Sequence, residues 1–125
     1  MNENEIGSLV VNASMKIHTV LGPGLLEGIY ETCLAYELEK QGLPVKRQAA
    51  LPIVYEDLKL ENAFRIDILV DGKVVVELKA IDNLLPVHAA QLLSYLKLGK
   101  YKLGFLLNFN VVHMKDGIKR MANGL

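Results

Sequence analysis

Residues 64–79 read FRIDILVDGKVVVELK, two strand-like runs on either side of Asp71-Gly72. This stretch predicts a β-hairpin, because apolar and β-branched residues flanking an Asp-Gly pair are typical of two antiparallel strands joined by a tight turn. The second run ends in Glu77-Leu78-Lys79, so charged groups lie on the most apolar strand of the chain. Buried charges are costly without partners or a metal, which marks this end of the hairpin as a candidate site.

The length of the turn decides which side chains of the hairpin share a face. A two-residue turn would place Asp67 and Glu77 on opposite faces, whereas a three-residue loop containing Gly72 would place them together. Only the three-residue loop gathers one continuous apolar face, made of Ile66, Ile68, Val70, Val74, Val76 and Leu78. We therefore expect that loop, with the two carboxylates close enough to bind one ion.

The rest of the chain predicts an α/β domain with a mixed central sheet flanked by helices. Apolar spacing and Gly/Pro positions indicate helices over 5–21, 25–41 and 86–98, strands over 45–55 and 103–109, and a helical turn around Ile118. Pro52 favours an edge strand or a bulge. The element order is ααβββαβ, and a crossover helix makes the last strand parallel to 73–79. We expect one domain over 1–125.

Composition excludes several classes of function. The 14 basic residues equal the 14 acidic residues, so the net charge exerts no global attraction on a polyanion. The single cysteine, Cys33, excludes an intrachain disulfide and suits the cytoplasm. No apolar run approaches the roughly 20 residues needed to cross a bilayer, so we expect no membrane association.

The charged residues of the hairpin favour a hard cation. Carboxylates of Asp67 and Glu77, with the Leu78 carbonyl, are oxygen donors that suit Mg²⁺ or Mn²⁺. A bound water would be activated as a nucleophile, and Lys79 could orient it or stabilise the charge on a phosphodiester. The alternative is an ordinary salt-bridge network on a solvent-facing sheet, joining Arg65 to these three side chains.

Two predicted helices carry further polar candidates. His88, Gln91 and Tyr95 form one stripe of the third helix. Glu27 and Glu31 lie one turn apart on the second helix, and Glu27 directly follows the break at residues 22–24. For both sets the alternative is a solvated helix face, and a first-turn carboxylate is also favoured by the helix dipole.

Three motifs carry a family resemblance. Asp67, nine intervening residues and then Glu77-Leu78-Lys79 resemble the PD-(D/E)XK nuclease superfamily, with Ile66 in place of the proline. The segment from Gln91 to Tyr95 resembles the QxxxY element of its RecB-like and lambda-exonuclease-like branches. Residues 24–30, GLLEGIY, are similar to the signature of the small GxxExxY proteins.

The resemblance implies a restriction-endonuclease-like core and a divalent-metal-dependent nuclease, with DNA favoured over RNA and a homodimer allowed. It implies Mg²⁺ at Asp67 and Glu77, with Glu27 as an outer or additional ligand. Lys79 would be the catalytic lysine, and Gln91 and Tyr95 would position the lysine or the phosphate. The alternative is a non-catalytic module, binding nucleic acid or protein, that retains the nuclease fold.

Overall fold

The computed structural model describes residues 1–125 and contains three α-helices, one 3₁₀-helix and five strands. The helices are α1 (Glu3–Leu21), α2 (Glu27–Lys40) and α3 (Pro86–Gly99), with the 3₁₀-helix at Met114–Gly117. The strands are β1 (Val45–Tyr55), β2 (Leu58–Val70), β3 (Val74–Lys79), β4 (Leu103–Asn108) and β5 (Ile118–Ala122). The predicted α/β class is confirmed, and the three predicted helices and first four predicted strands begin and end within a few residues of the observed ones, whereas β5 was not predicted.

The five strands form one mixed sheet in the order β1-β2-β3-β4-β5. The β3–β4 pair is parallel, as the crossover through α3 predicted, and every other pair is antiparallel. Strand β1 lies at an edge, and its register with β2 shifts between Leu51 and Ile53, on either side of Pro52. Proline cannot donate a ladder hydrogen bond, which explains why this residue occupies an edge strand beside an irregularity.

The hairpin between β2 and β3 has the predicted three-residue loop. Val70 pairs with Val74, and the loop residues Asp71 and Gly72 have φ of 52° and 64°. Glycine adopts this left-handed region freely, and aspartate tolerates it better than most residues. The loop length places Glu77 on the same face as Val75, opposite Val76 and Leu78, as the apolar pattern requires.

The sheet is covered on both faces. A cluster of 19 buried residues joins α1 and α2 to one face, and a cluster of seven joins α3 to the other. The central strands β3 and β4 are buried along almost their whole length, as expected for strands between two layers. The residues of β3 therefore alternate between the α1–α2 layer and the α3 layer.

Ile66 does not join the apolar face on which the register argument placed it. It packs in the α3 cluster with Val75, whereas Ile68 packs in the α1–α2 cluster. The strand changes orientation between the two isoleucines, where the ladder pairs of β1 and β2 are interrupted at Gln48, a residue with φ of 51°. The rest of the predicted apolar face, from Ile68 to Leu78, is confirmed.

The C-terminal segment corrects a second expectation. Ile118 begins strand β5, pairing with Leu107, rather than lying in a helical turn. The helical turn ends at Gly117, where an added Cβ would lie 2.0 Å from the Asn108 carbonyl oxygen. The close approach at Gly117 brings the following residues alongside β4, and they pair with its free edge as β5.

Candidate functional site

Asp67 occupies the point where β2 separates from β3. Backbone pairing between the two strands covers only Ile68–Val70 with Val74–Val76, although β3 continues to Lys79. Beyond that point the Asp67 carboxylate replaces the missing backbone partner, and its Oδ2 accepts a hydrogen bond of 2.9 Å from the Leu78 amide. The side chain is thereby held against the end of β3.

Glu77 is the most perturbed ionisable group near Asp67. Its residue is 8% exposed, and its buried Oε1 atom has no hydrogen-bond partner. Burial, followed by the hydrogen bond and the negative charge of Asp67, raises the pKa of Glu77 to about 10, and nearby Lys79 only partly opposes this rise. The two carboxyl groups therefore face each other, as the hairpin register predicted, and without a cation Glu77 keeps its proton at neutral pH.

The salt-bridge alternative is not what the structure contains. The five ion pairs of the chain involve other residues, and none joins Arg65, Asp67, Glu77 or Lys79 to one another. Arg65 instead donates a hydrogen bond of 3.2 Å to the Gln48 carbonyl. The acids at the end of the hairpin are thus not neutralised by a paired cationic side chain.

Helix α3 brings Gln91 and Tyr95 to the same face of the sheet as Glu77. Tyr95 is 5% exposed and packs against Phe64 with ring centroids 4.8 Å apart. Burial and the charges of Glu77 and Asp67 raise the pKa of Tyr95, while hydrogen bonding with Gln91 acts in the opposite direction. The third member of the predicted stripe lies apart, since His88 Nδ1 accepts a hydrogen bond from the Leu85 amide at the start of α3.

Glu27 lies in the first turn of α2 and is exposed at the surface. Partial burial and the charge of Asp67 raise the pKa of Glu27, and the charge of Glu31 adds to this rise. The charge of Lys79 acts in the opposite direction. Glu27 is therefore within electrostatic reach of both the acid pair and the lysine. Electrostatic coupling links Glu27 to Asp67 and Lys79, and it links Glu77 to Asp67, Lys79 and Tyr95, whereas Gln91 is linked to this group only by its hydrogen bonding with Tyr95.

Tyr30 explains how α2 is held in this position. Its hydroxyl donates to the Gly22 carbonyl at 2.7 Å and accepts from the Leu25 amide at 3.1 Å, which fixes the loop before the helix. Its ring stacks on Phe109 at 4.4 Å, and the Phe109 amide donates to the Lys79 carbonyl at 3.0 Å. One tyrosine therefore connects the start of α2 to the end of β3.

Sequence reasoning missed a polar network beside the acid pair. Glu31 is buried rather than solvated; its Oε2 accepts from Arg47 Nε at 2.9 Å, and its Oε1 accepts from Gln48 Nε2 at 2.8 Å. Gln48 Nε2 also lies 3.4 Å from Asp67 Oδ1. Nothing in the sequence around residues 47 and 48 distinguishes them from other polar residues of an edge strand.

The residues of this region fit a divalent cation of the magnesium type. No group of three or more His, Cys, Asp or Glu side chains has an arrangement that could hold a metal ion. Mg²⁺ is, however, commonly bound through one or two carboxylates while it keeps several waters. The Asp67–Glu77 pair, with its unpartnered Oε1 atom, supplies donors of that kind.

A mixed sheet between helical layers, with an acid on one strand and an acid-x-lysine element on its neighbour, defines the class of restriction-endonuclease-like proteins. The family model of the PD-(D/E)XK nuclease superfamily matches residues 4–121, and the chain belongs to this superfamily. Neither the curated proteins nor the solved structures include one that matches the chain. None of the helices has the length and apolar character that a membrane span requires.

Proposed function

We propose that the chain is a divalent-metal-dependent nuclease that hydrolyses phosphodiester bonds, with DNA as its substrate. The observation that carries the proposal is the buried Glu77 carboxyl, which faces Asp67 with an unpartnered oxygen beside Lys79. A structural role alone gives no reason to bury the Glu77 carboxyl beside the partly exposed Asp67 without a paired cation, because each carboxyl group disfavours the ionisation of the other. Membership of a nuclease superfamily supplies the class of substrate, a nucleic acid.

Each residue of the site has a role in this proposal. Asp67 and Glu77, with the Leu78 carbonyl, hold Mg²⁺ or Mn²⁺, and Glu27 is an outer ligand. An ion held by these residues would supply an attacking water of lowered pKa and would offset charge on the phosphate. Lys79 orients the attacking water and stabilises the negative charge that develops as the phosphorus–oxygen bond to the leaving group breaks.

Gln91 and Tyr95 act on the same reaction from α3. Tyr95 is buried and packs against Phe64, and the exposed Gln91 lies within hydrogen-bonding reach of its hydroxyl, so both side chains supply donors on this face. We assign them to the orientation of Lys79 or of the substrate phosphate. The QxxxY spacing of this pair supports placement in the RecB-like and lambda-exonuclease-like branch, and the Glu27–Tyr30 spacing supports the GxxExxY family.

Binding of a polyanion requires local positive charge, because the net charge of the chain is zero. Lys97, Lys100 and Lys102 follow one another around the exposed end of α3 and supply one such region. We also propose that the chain acts as a homodimer, because a second copy would add surface that contacts a duplex, and in the cytoplasm, where its single cysteine would stay reduced. Cleavage assays on single- and double-stranded DNA and RNA test the substrate. The mass of the chain bound to nucleic acid tests the homodimer.

The decisive test is metal-dependent cleavage by the purified chain with a matched lysine control. We expect cleavage with Mg²⁺ or Mn²⁺, none with EDTA, loss in Lys79→Ala, and retention in Lys59→Ala, an exposed lysine at the start of β2. Activity that survives in Lys79→Ala would come from a contaminant and would refute the assignment. Tight binding of nucleic acid without cleavage, and without any effect of Mn²⁺, would favour the alternative of a non-catalytic module that retains the nuclease fold. The zero net charge of the chain is the sequence feature behind that alternative.

A further inference from the structure

The side chain of Gln48 lies between two acids, Glu31 of α2 and Asp67 of β2. Its Nε2 donates to Glu31 Oε1 at 2.8 Å and lies 3.4 Å from Asp67 Oδ1. Glu31 is held in turn by Arg47, whose Nε and Nη2 lie 2.9 and 2.8 Å from Oε2. Because both oxygens of Glu31 are occupied, this acid is a fixed acceptor that determines where the Gln48 amide points.

The backbone at Gln48 has an uncommon conformation for its residue type. Its φ is 51°, in the left-handed region that residues with a Cβ seldom adopt. The Arg65 guanidinium donates to the Gln48 carbonyl at 3.2 Å and helps to retain this conformation. Strained backbone that the surroundings hold in place is concentrated at functional sites, and here it directs the amide toward the acid pair.

We propose that Gln48 is a positioning residue for the metal-dependent reaction: its amide, fixed on Glu31, sets the orientation of the Asp67 carboxylate. The inference rests on the proposed function and extends it to a residue outside every motif of the sequence. Asp67 is then held on both oxygens, by the Leu78 amide on Oδ2 at 2.9 Å and by Gln48 on the Oδ1 side. The 3.4 Å contact exceeds the usual range of about 2.7–3.2 Å, so this hydrogen bond is weak. Gln48 therefore acts by restricting the orientation of the Asp67 carboxylate rather than by binding it strongly.

Residues behind a metal ligand affect the affinity for the metal without touching it. Loss of such a partner commonly weakens binding by roughly tenfold to a hundredfold. Because Gln48 is exposed, its replacement creates no cavity in either core cluster. The replacement does remove the partner of Glu31 Oε1, so the stability of each variant is measured beside its affinity for the metal.

Two variants and one control test the proposal. Gln48→Met keeps the length of the side chain and removes the amide. Gln48→Gly removes the side chain and suits the backbone at this φ, so it folds even where Met does not. The control is Gln41→Met, at an exposed glutamine that caps the end of α2.

The first measurement is the NMR resonance of the Leu78 amide in the metal-free protein, since this amide donates directly to Asp67. The second is the affinity for Mn²⁺ alone, measured by calorimetry. We expect both Gln48 variants to shift the Leu78 resonance and to weaken Mn²⁺ binding by roughly tenfold or more, with Gln41→Met unchanged. Both variants also remove one hydrogen bond from the buried Glu31 carboxylate, so we expect a loss of stability in urea, smaller for Gln48→Gly because glycine suits this φ; a purely structural residue would show that loss without the change in Mn²⁺ affinity.

An unchanged Leu78 resonance in both variants would overturn the proposal, and so would a shifted resonance with Mn²⁺ affinity within about twofold of the wild type. A wild-type chain that binds no Mn²⁺ and cleaves nothing would refute the proposed function instead. In that event the Leu78 resonance still separates the two ideas: a shift shows that Gln48 orients Asp67, and no shift overturns the positioning as well.

Discussion

Replacement of Glu77 by glutamine should stabilise the metal-free protein at neutral pH. The folded chain keeps a proton on Glu77 because burial and Asp67 raise its pKa from 4.5 to about 10, whereas the unfolded chain releases that proton above its ordinary pKa. The unfolded state therefore binds fewer protons, and the wild type loses stability as the pH rises from about 4.5 towards 10. Glutamine resembles the protonated acid in shape, can donate to Asp67, and does not titrate.

The size of the effect follows from the interval between the pH and the unfolded pKa. One pKa unit corresponds to about 1.4 kcal/mol, so Glu77→Gln should gain up to about 3 kcal/mol at pH 7 and just under about 1 kcal/mol at pH 5. A gain of this size is a large share of the roughly 5–15 kcal/mol by which domains are stable. The increase with pH, more than its absolute size, identifies Glu77 as its source.

Urea unfolding of both proteins between pH 5 and pH 8, with EDTA present, measures this difference. Glu39→Gln is the matched control, because Glu39 is exposed on α2 and is in no ion pair. Mn²⁺ at about 1,000 times its Kd should reverse the order at pH 7, since it adds about 4.1 kcal/mol to the wild type and little to the variant. Destabilisation by Glu77→Gln at every pH would refute the reasoning, because it would mean that the carboxylate is ionised and paired with Lys79.

Three further predictions concern the same site. Binding of Mn²⁺ at pH 7 should release roughly one proton from Glu77, which calorimetry in buffers of different ionisation enthalpy measures directly; no release would mean that the carboxyl is already ionised. Lys79→Ala should lower the cleavage rate by roughly 10²–10³-fold while the Mn²⁺ affinity stays within a few-fold of the wild type, and parallel losses of both would contradict a role in the chemical step. Tyr30→Phe should cost about 1–2 kcal/mol in urea unfolding, because it removes the hydroxyl that fixes the loop before α2; a change of only a few tenths would show that stacking on Phe109 suffices.

The part of the site that sequence predicts is the part determined by local periodicity. Side chains alternate along a strand, so the apolar residues from Ile68 to Leu78 determine the loop length from local sequence alone. The same alternation placed Asp67 and Glu77 near each other. The helical spacing of Gln91 and Tyr95 is equally local, and it survives in α3.

The features that sequence reasoning missed depend on distant contacts or on an unusual backbone conformation. Strand β5 is short, and it forms because it pairs with the free edge of β4. In the sequence Glu31 resembles a solvated helix residue, but in the fold it is buried, and Arg47 and Gln48 of β1 bind its carboxylate. The change of face at Ile66 lies opposite a positive φ at Gln48, where neither glycine nor asparagine signals it.

The separation of β2 from β3 is the feature that turns a hairpin into a site. With pairing continued past Ile68, the Leu78 amide would bond to backbone and would leave Asp67 without its fixed orientation. Because β2 departs early, the last three residues of β3 have no β2 backbone partner, and a carboxylate takes the place of one. The central position of β3 supplies the other components: α3 covers the face of Glu77, and Phe109 links Lys79 to Tyr30 at the start of α2. An acid, an acid-x-lysine element and two helices therefore converge at one strand end because of the topology of the sheet.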